Sequence, residues 1–167
     1  TELGKTALLH SEFEKRNVKV LAVSVDGLES HQSWIKDINE TQHCNVDFPI
    51  IADPDRVVAF LYDMIHPKAS ETFTVRSLFI IGPDKKIKLI ITYPASTGRN
   101  FNELLRVLDS LQLTANHGLA TPADWISGDK LIVIPSIPSD QIKSKYGVDP
   151  ELVKPYLRYV PDSVVQH

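Results

Sequence analysis

Residues 77–93 read Ser77-Leu-Phe-Ile-Ile-Gly-Pro-Asp-Lys-Lys-Ile-Lys-Leu-Ile-Ile-Thr-Tyr93. Two runs rich in β-branched and apolar residues flank a short polar segment, which predicts a strand, a turn and a second strand. Pro83 and Asp84 suit the centre of a type I turn, because proline fixes its own φ near the angle required there. This segment is the clearest antiparallel hairpin in the chain.

Helices and strands alternate before the hairpin. Val18–Val25 is β-branched and almost continuously apolar, which is typical of a strand buried on both faces, and residues 48–52 predict a second short buried strand. Helices are predicted over Thr1–Asn17, from a Ser30 cap through Ile38, after Asp55, and from an Asn100 cap through Leu113. The order β-α-β-α-β-β-α indicates an α/β class and fits most of a thioredoxin-like layer, although the strand that should precede the first helix is missing.

The pattern changes after Thr114. Residues 115–128 are rich in loop-forming residues, and Lys130–Ile134, Ser139–Tyr146 and Tyr156–Val160 then predict a strand, a short helix and a strand. We therefore predict two domains, a thioredoxin-like core over residues 1–114 and a small C-terminal α+β domain over residues 115–167.

Composition excludes several function classes. The 167 residues carry 18 basic and 21 acidic side chains, a net charge of −3, without the clustered Lys and Arg of a nucleic-acid surface. No apolar run approaches the roughly 18 residues of a transmembrane segment. The single cysteine, Cys44, excludes an internal disulfide and a CxxC pair, and it favours a reducing compartment such as the cytoplasm.

The usual motifs for metal, nucleotide or hydrolase chemistry are missing from the sequence. No histidine pair has HExxH or similar spacing, so no metal site is predicted, and neither GxSxG nor GxGxxG occurs. Cys44 lies in a polar loop beside His43. A nucleophilic cysteine needs a cation or a helix N-terminus to lower its pKa, and adjacency to His43 does not ensure this. We interpret Cys44 as a non-catalytic thiol.

Two arginines stand out by position. Arg76 immediately precedes a predicted buried strand, and Arg99 lies just before the cap of the long helix. On spacing alone, either is a solvated side chain or part of a charge-assisted network with Glu2, since the guanidinium presents a rigid donor fork to a carboxylate.

Segments from nearly the whole chain point to one family. They read Thr1-Glu-Leu-Gly4, Arg16-Asn-Val-Lys19, Ser33-Trp-Ile-Lys-Asp-Ile38, Phe48-Pro-Ile-Ile51, Phe79-Ile-Ile-Gly-Pro-Asp-Lys-Lys86, Tyr93-Pro94, Thr97-Gly-Arg-Asn-Phe101, Leu111-Gln-Leu-Thr-Ala115 and Ala120-Thr-Pro-Ala-Asp-Trp125. Together they resemble the one-cysteine class of peroxiredoxins. The motif of that family is PxxxTxxC followed closely by Thr-Thr-Glu, and this chain begins at the second threonine. The resemblance therefore implies a peroxidatic cysteine two positions before Thr1, which Cys44 does not replace.

The resemblance implies a thiol peroxidase for hydrogen peroxide and organic hydroperoxides. It implies a homodimer, an external thiol reductant such as glutathione, and no cofactor or metal. Arg76 matches the catalytic arginine that faces the peroxidatic sulfur. Glu2 matches the glutamate that braces this arginine, and Arg99 matches a second arginine in the same substrate-binding network.

Two expectations concern the limits of this resemblance. Asp84 matches an aspartate of a phospholipase A2 set described for some members, but it is otherwise an ordinary turn residue. The 167-residue chain alone is expected to be inactive. The alternative is a non-catalytic thioredoxin-like interaction module or dimerisation fragment, and the residues before Thr1 discriminate between the two.

Overall fold

The computed structural model describes residues 1–65 and 75–165, and it has the mixed α/β character that the sequence predicts. It divides into two compact units, Thr1–Phe101 and the residues from Asn102 onward. The helices and strands up to the hairpin are α1 (Glu2–Leu8), α2 (His10–Lys15), β1 (Ala22–Ser24), α3 (Leu28–Gln42), β2 (Ile50–Ala52), α4 (Val57–Leu61), β3 (Arg76–Ile81) and β4 (Ile87–Tyr93). Those that follow are α5 (Phe101–His117), β5 (Leu119–Ala120), β6 (Leu131–Val133), α6 (Ser139–Tyr146), β7 (Glu151–Lys154), β8 (Leu157–Val160) and a 3-10 turn (Asp162–Val164).

The predicted hairpin is confirmed. β3 pairs antiparallel with β4, with Arg76 opposite Tyr93 at its open end. The turn places Pro83 and Asp84 at its centre, and it closes where the Lys85 N–H donates to the Gly82 carbonyl at 2.9 Å. This register fixes Arg76 at the start of β3, at the open end of the hairpin.

The strand predicted over Val18–Val25 is shorter, because the Val18 N–H donates to the Phe13 carbonyl and holds residue 18 at the end of α2. β1 pairs in parallel with β2, and both strands are half-buried rather than buried on both faces. Beneath them α3 packs on α1 around a buried cluster. Its members are Ile38, Val46 and Phe48, with Leu3, Ala7 and Ile35 among the side chains packed against them.

Three of the predicted helices differ from the structure. The helix predicted over Thr1–Asn17 is interrupted at Leu9, whose backbone leaves helical angles (φ −98°, ψ 9°) while its N–H is shared between two carbonyls. α3 begins at Leu28 rather than after Ser30, because the Gly27 carbonyl already accepts the first helical hydrogen bond. α5 continues to His117, beyond the predicted end at Leu113, and Gly118 ends it with a φ of +65°.

The second unit has its own antiparallel sheet, in the order β5-β6-β8-β7. Its apolar core includes Trp125, Leu131 and Ile142, all at most 1% exposed. β7 is a strand that the sequence did not predict, since all four of its side chains are exposed and show no apolar alternation. The predicted domain boundary after residue 114 falls within α5, and the division into residues 1–114 and 115–167 stays a prediction.

Candidate active site

The carboxylate of Glu2 is the centre of the candidate site. Glu2 is the first residue of α1, and its side chain is only 15% exposed. Two arginines approach it from different parts of the first unit. Arg76 comes from the start of β3, and Arg99 comes from the segment between β4 and α5. Residues far apart in sequence therefore meet at the beginning of α1.

Arg99 binds Glu2 through three donors. Its backbone N–H donates to Glu2 Oε1 at 2.8 Å, and Nε and Nη2 donate to Glu2 Oε2 at 3.2 and 2.5 Å. The remaining guanidinium nitrogen, Nη1, donates to the Ser77 carbonyl at 3.0 Å. Because backbone and side chain bind the same carboxylate, Arg99 and the start of α1 hold each other in a defined orientation.

Arg76 is held more loosely and is more accessible. Its Nη1 lies 3.2 Å from Glu2 Oε1, and its Nε donates to the Ala95 carbonyl at 2.7 Å. The Arg76 side chain is 35% exposed, compared with 21% for Arg99. Arg76 is therefore the guanidinium better placed to meet a small solute.

The electrostatics of the site keep Glu2 ionised. Burial alone raises the pKa of Glu2. The hydrogen bonds and charge of Arg99, together with the charge of Arg76, lower it by more, so the pKa of Glu2 lies below its ordinary value. Two guanidinium cations and one carboxylate leave an excess of one positive charge. Such a fixed cation can favour a thiolate over a thiol and can stabilise negative charge that develops on an oxygen.

The structure brings all three predicted site residues together. Glu2, Arg76 and Arg99 form one hydrogen-bonded cluster, whereas their spacing alone allowed them to be solvated separately. The Ser77 and Ala95 carbonyls, which orient the two guanidinium groups, were not predicted. Such acceptors have no residue signature, since every residue carries a carbonyl. The functional roles of the three side chains stay predictions.

Cys44 has different neighbours. It follows the C-terminal end of α3, and its half-buried Sγ lies 3.8 Å from both the Ile38 carbonyl and Asn39 Oδ1. Both oxygens are hydrogen-bond acceptors for its S–H group. The surroundings fit the interpretation of Cys44 as a non-catalytic thiol.

Asp84 occupies the hairpin turn as an exposed carboxylate. It accepts hydrogen bonds from the Lys86 N–H at 3.2 Å and from Lys88 Nζ at 2.7 Å. The hydrogen bond from Lys88 is the main cause of the lowered pKa of Asp84. These contacts account for Asp84 as a turn residue, and its phospholipase role stays a prediction.

Two features are absent from residues 1–65 and 75–165. Within these ranges, no group of three or more His, Cys, Asp or Glu side chains could hold a metal ion. Nor is any helix there long and apolar enough to cross a membrane.

An open surface hollow of about 560 Å³ was not predicted from the sequence. It is lined by Asp26, Ser30, Ser33, Trp34 and Asp37, and the last four were detectable as one face of α3 by their helical spacing.

Comparisons with known proteins identify the family of this chain. Residues 1–90 match the AhpC/TSA family, and residues 110–147 match the C-terminal domain of 1-Cys peroxiredoxin. The 1-Cys peroxiredoxin of Dictyostelium discoideum is 55% identical over 161 residues, which are 96% of this chain and 67% of that protein. Peroxiredoxin-6 of Rattus norvegicus is 48% identical over 174 residues, covering 96% of this chain and 78% of that protein.

A solved structure shows the same fold. The yeast mitochondrial 1-Cys peroxiredoxin superposes with a TM-score of 0.90 at 47% identity, covering 96% of this chain and 78% of that one. The predicted thioredoxin-like peroxiredoxin fold is thereby confirmed. The chain belongs to the one-cysteine class of peroxiredoxins, within the AhpC/TSA family.

Proposed function

We propose that this chain forms most of a thiol-dependent peroxidase that reduces hydrogen peroxide and organic hydroperoxides. The attacking cysteine lies two positions before Thr1, outside the 167 residues. One observation carries the proposal, namely that the Glu2 carboxylate holds the Arg76 and Arg99 guanidinium groups at the start of α1. A cysteine two residues before Thr1 joins the chain at this same place, so its sulfur has a fixed cation within reach.

The first chemical step oxidises the cysteine. The Arg76 guanidinium favours the thiolate, whose sulfur attacks one peroxide oxygen. A sulfur–oxygen bond forms as the O–O bond breaks, and the sulfur becomes a sulfenic acid. The leaving hydroxide or alkoxide takes up a proton and departs as water or alcohol. Arg76 also stabilises the negative charge on this oxygen during the reaction.

Glu2 and Arg99 support Arg76 and the substrate. Glu2 orients the Arg76 guanidinium through a 3.2 Å ion pair, and Arg99 keeps the Glu2 carboxylate in place through its three donors. Arg99 adds the second positive charge, which favours binding of the polar peroxide oxygens. Preorganised charges of this kind need little rearrangement when the transition state forms.

An external thiol returns the cysteine to its reduced form. One thiol attacks the sulfenic sulfur and releases water, giving a mixed disulfide. A second thiol then releases the cysteine and forms the disulfide of the reductant. Glutathione is our proposed reductant. It is supported by the yeast relative, whose thiol resolving mechanism is described as operating via glutathione/thioredoxin systems.

Assembly and location complete the proposal. We propose a homodimer, supported by the exposed Ile87 and Ile90 on β4, which a second copy can cover. A cytoplasmic location is supported by the single cysteine among the 167 residues, which suits a reducing compartment. Analytical ultracentrifugation of the full-length protein tests the dimer, and fluorescent tagging tests the compartment.

The experiment that tests the function begins with the coding sequence upstream of Thr1. A PxxxTxxC motif ending two positions before Thr1 is expected. The full-length protein should consume hydroperoxide with a thiol reductant, whereas the variant with serine at that cysteine should not. The 167-residue chain alone should also be inactive. An upstream sequence without the cysteine contradicts the proposal and leaves a non-catalytic interaction module as the better interpretation.

A further inference from the structure

α1 approaches α3 unusually closely at one buried residue, Gly4. A Cβ placed on Gly4 would lie 2.7 Å from Gln42 Cγ, 2.8 Å from Gln42 Cβ and 3.4 Å from Ile38 Cγ2. Nonbonded carbon atoms separate to about 3.5–4.0 Å at their optimum, so the first two distances leave no room for any side chain. Gln42 Cβ is attached to the helix backbone and cannot turn away by a rotamer change.

The backbone conformation does not explain this glycine. Gly4 is not among the glycines with positive φ, and it lies inside a helix, where glycine is less favourable than alanine. The close approach of α1 to α3 is the remaining physical reason for glycine at this position.

Gly4 lies two residues after Glu2 on the same helix. The bonds from Glu2 to Arg76 and Arg99 are 2.5–3.2 Å long, and such bonds weaken when lengthened by a few tenths of an ångström. A side chain at residue 4 would have to push α1 away from α3 by about 1 Å to restore ordinary contact distances. That displacement is large enough to disrupt the geometry of the Glu2 cluster.

We propose that Gly4 is a positioning residue. Because Gly4 has no side chain, α1 packs closely against Gln42 of α3. This packing places the Glu2 carboxylate within reach of both guanidinium groups. The expected change in the peroxide rate rests on the proposed function, whereas the expected change in the pKa of Glu2 does not. The two can therefore be measured separately.

The test is Gly4→Ala in the full-length protein. An NMR titration should show the pKa of Glu2 rising toward its ordinary value, because the carboxylate loses its close cations. The rate constant for hydrogen peroxide should fall by about tenfold to a hundredfold, since misplacing catalytic groups by about 1 Å can cost up to about a hundredfold in rate. The pH profile of that rate should move to higher pH, a change that reduced stability alone does not produce. The matched control is Gly27→Ala, where an added Cβ has nothing within 4 Å, and it should leave all three measurements unchanged.

A second variant keeps the proposal testable if Gly4→Ala does not fold. Gly4→Ala with Gln42→Gly removes both Gln42 atoms from the close contact, so the Glu2 pKa and the peroxide rate should return to wild-type values. An unchanged Glu2 pKa in a folded Gly4→Ala protein, or no recovery in the double variant, overturns the inference. If the wild-type protein has no peroxidase activity, the proposed function fails, while the Glu2 titration still decides the role of Gly4.

Discussion

Replacing Glu2 with glutamine should destabilise the full-length protein, because it removes the one carboxylate between two guanidinium groups. Glutamine has nearly the same shape as glutamate but carries no charge. Its amide nitrogen would direct N–H donors at the donors of Arg99 or Arg76. The change therefore tests the charge of the cluster with little alteration of packing.

The expected magnitude follows from the contacts. Hydrogen bonds to charged groups contribute about 1.5–3 kcal/mol, so we assign about 2 kcal/mol to the part-buried bonds between Arg99 and Glu2. Arg76 is 35% exposed, and its ion pair is screened by solvent, so we assign it about 0.5 kcal/mol. The free energy of unfolding should therefore fall by about 2.5 kcal/mol, which lowers the melting temperature by about 5–10 °C for a chain of this size.

Urea denaturation at pH 7, followed by circular dichroism, measures this loss. The control is Glu151→Gln, which removes an exposed carboxylate paired with the exposed Lys130 and should leave the stability unchanged. The pKa of Glu2 is lower in the folded than in the unfolded protein, so its contribution is complete above the ordinary value of 4.5. The difference between wild type and Glu2→Gln should therefore shrink as the pH falls from 4.5 through the folded pKa. A loss below about 0.5 kcal/mol at pH 7, the usual scatter for surface changes, would show that the Glu2 cluster does not stabilise the fold.

Three other substitutions test Arg76, Cys44 and Arg158 separately. Arg76→Ala in the full-length protein should abolish most hydroperoxide turnover while the circular dichroism spectrum stays native, and unchanged kinetics would refute its catalytic role. Cys44→Ser should leave turnover unchanged, since the hydrogen-bond contacts of its thiol are to the Ile38 carbonyl and Asn39 Oδ1, and a large loss of rate would reverse that interpretation. Arg158→Ala should lower the free energy of unfolding by about 3 kcal/mol, because the buried Ile137 carbonyl and the part-buried Ile134 carbonyl would lose their guanidinium donors. A stability equal to wild type in urea denaturation contradicts this last prediction.

The sequence predicts the hairpin well because local signals agree there. Strand-forming residues flank a turn whose proline has the right φ, and the pairing of β3 with β4 follows. The interruption at Leu9 was not predictable in this way, since residues 1–17 carry no helix-breaking proline or interior turn signal. β7 was missed for a related reason. It is an exposed edge strand, held by backbone pairing with β8 rather than by an apolar face.

The candidate site was only partly predictable. Glu2 and Arg99 are 97 positions apart, and no local pattern joins them. Resemblance to a family selected these residues from several charged side chains, and folding of the first unit brings them within hydrogen-bond distance. The proposed role of Gly4 was not predictable from the sequence, because it depends on the distance between two helices.

The proposed reaction oxidises a cysteine two positions before Thr1, beside the Arg76 cluster. The most direct measurement exposes the reduced full-length protein to one equivalent of hydrogen peroxide, traps sulfenic acid with a selective reagent, and locates it by mass spectrometry. We expect rapid labelling at the upstream cysteine and none at Cys44. Labelling at Cys44, or no rapid labelling at any cysteine, would contradict the proposed reaction.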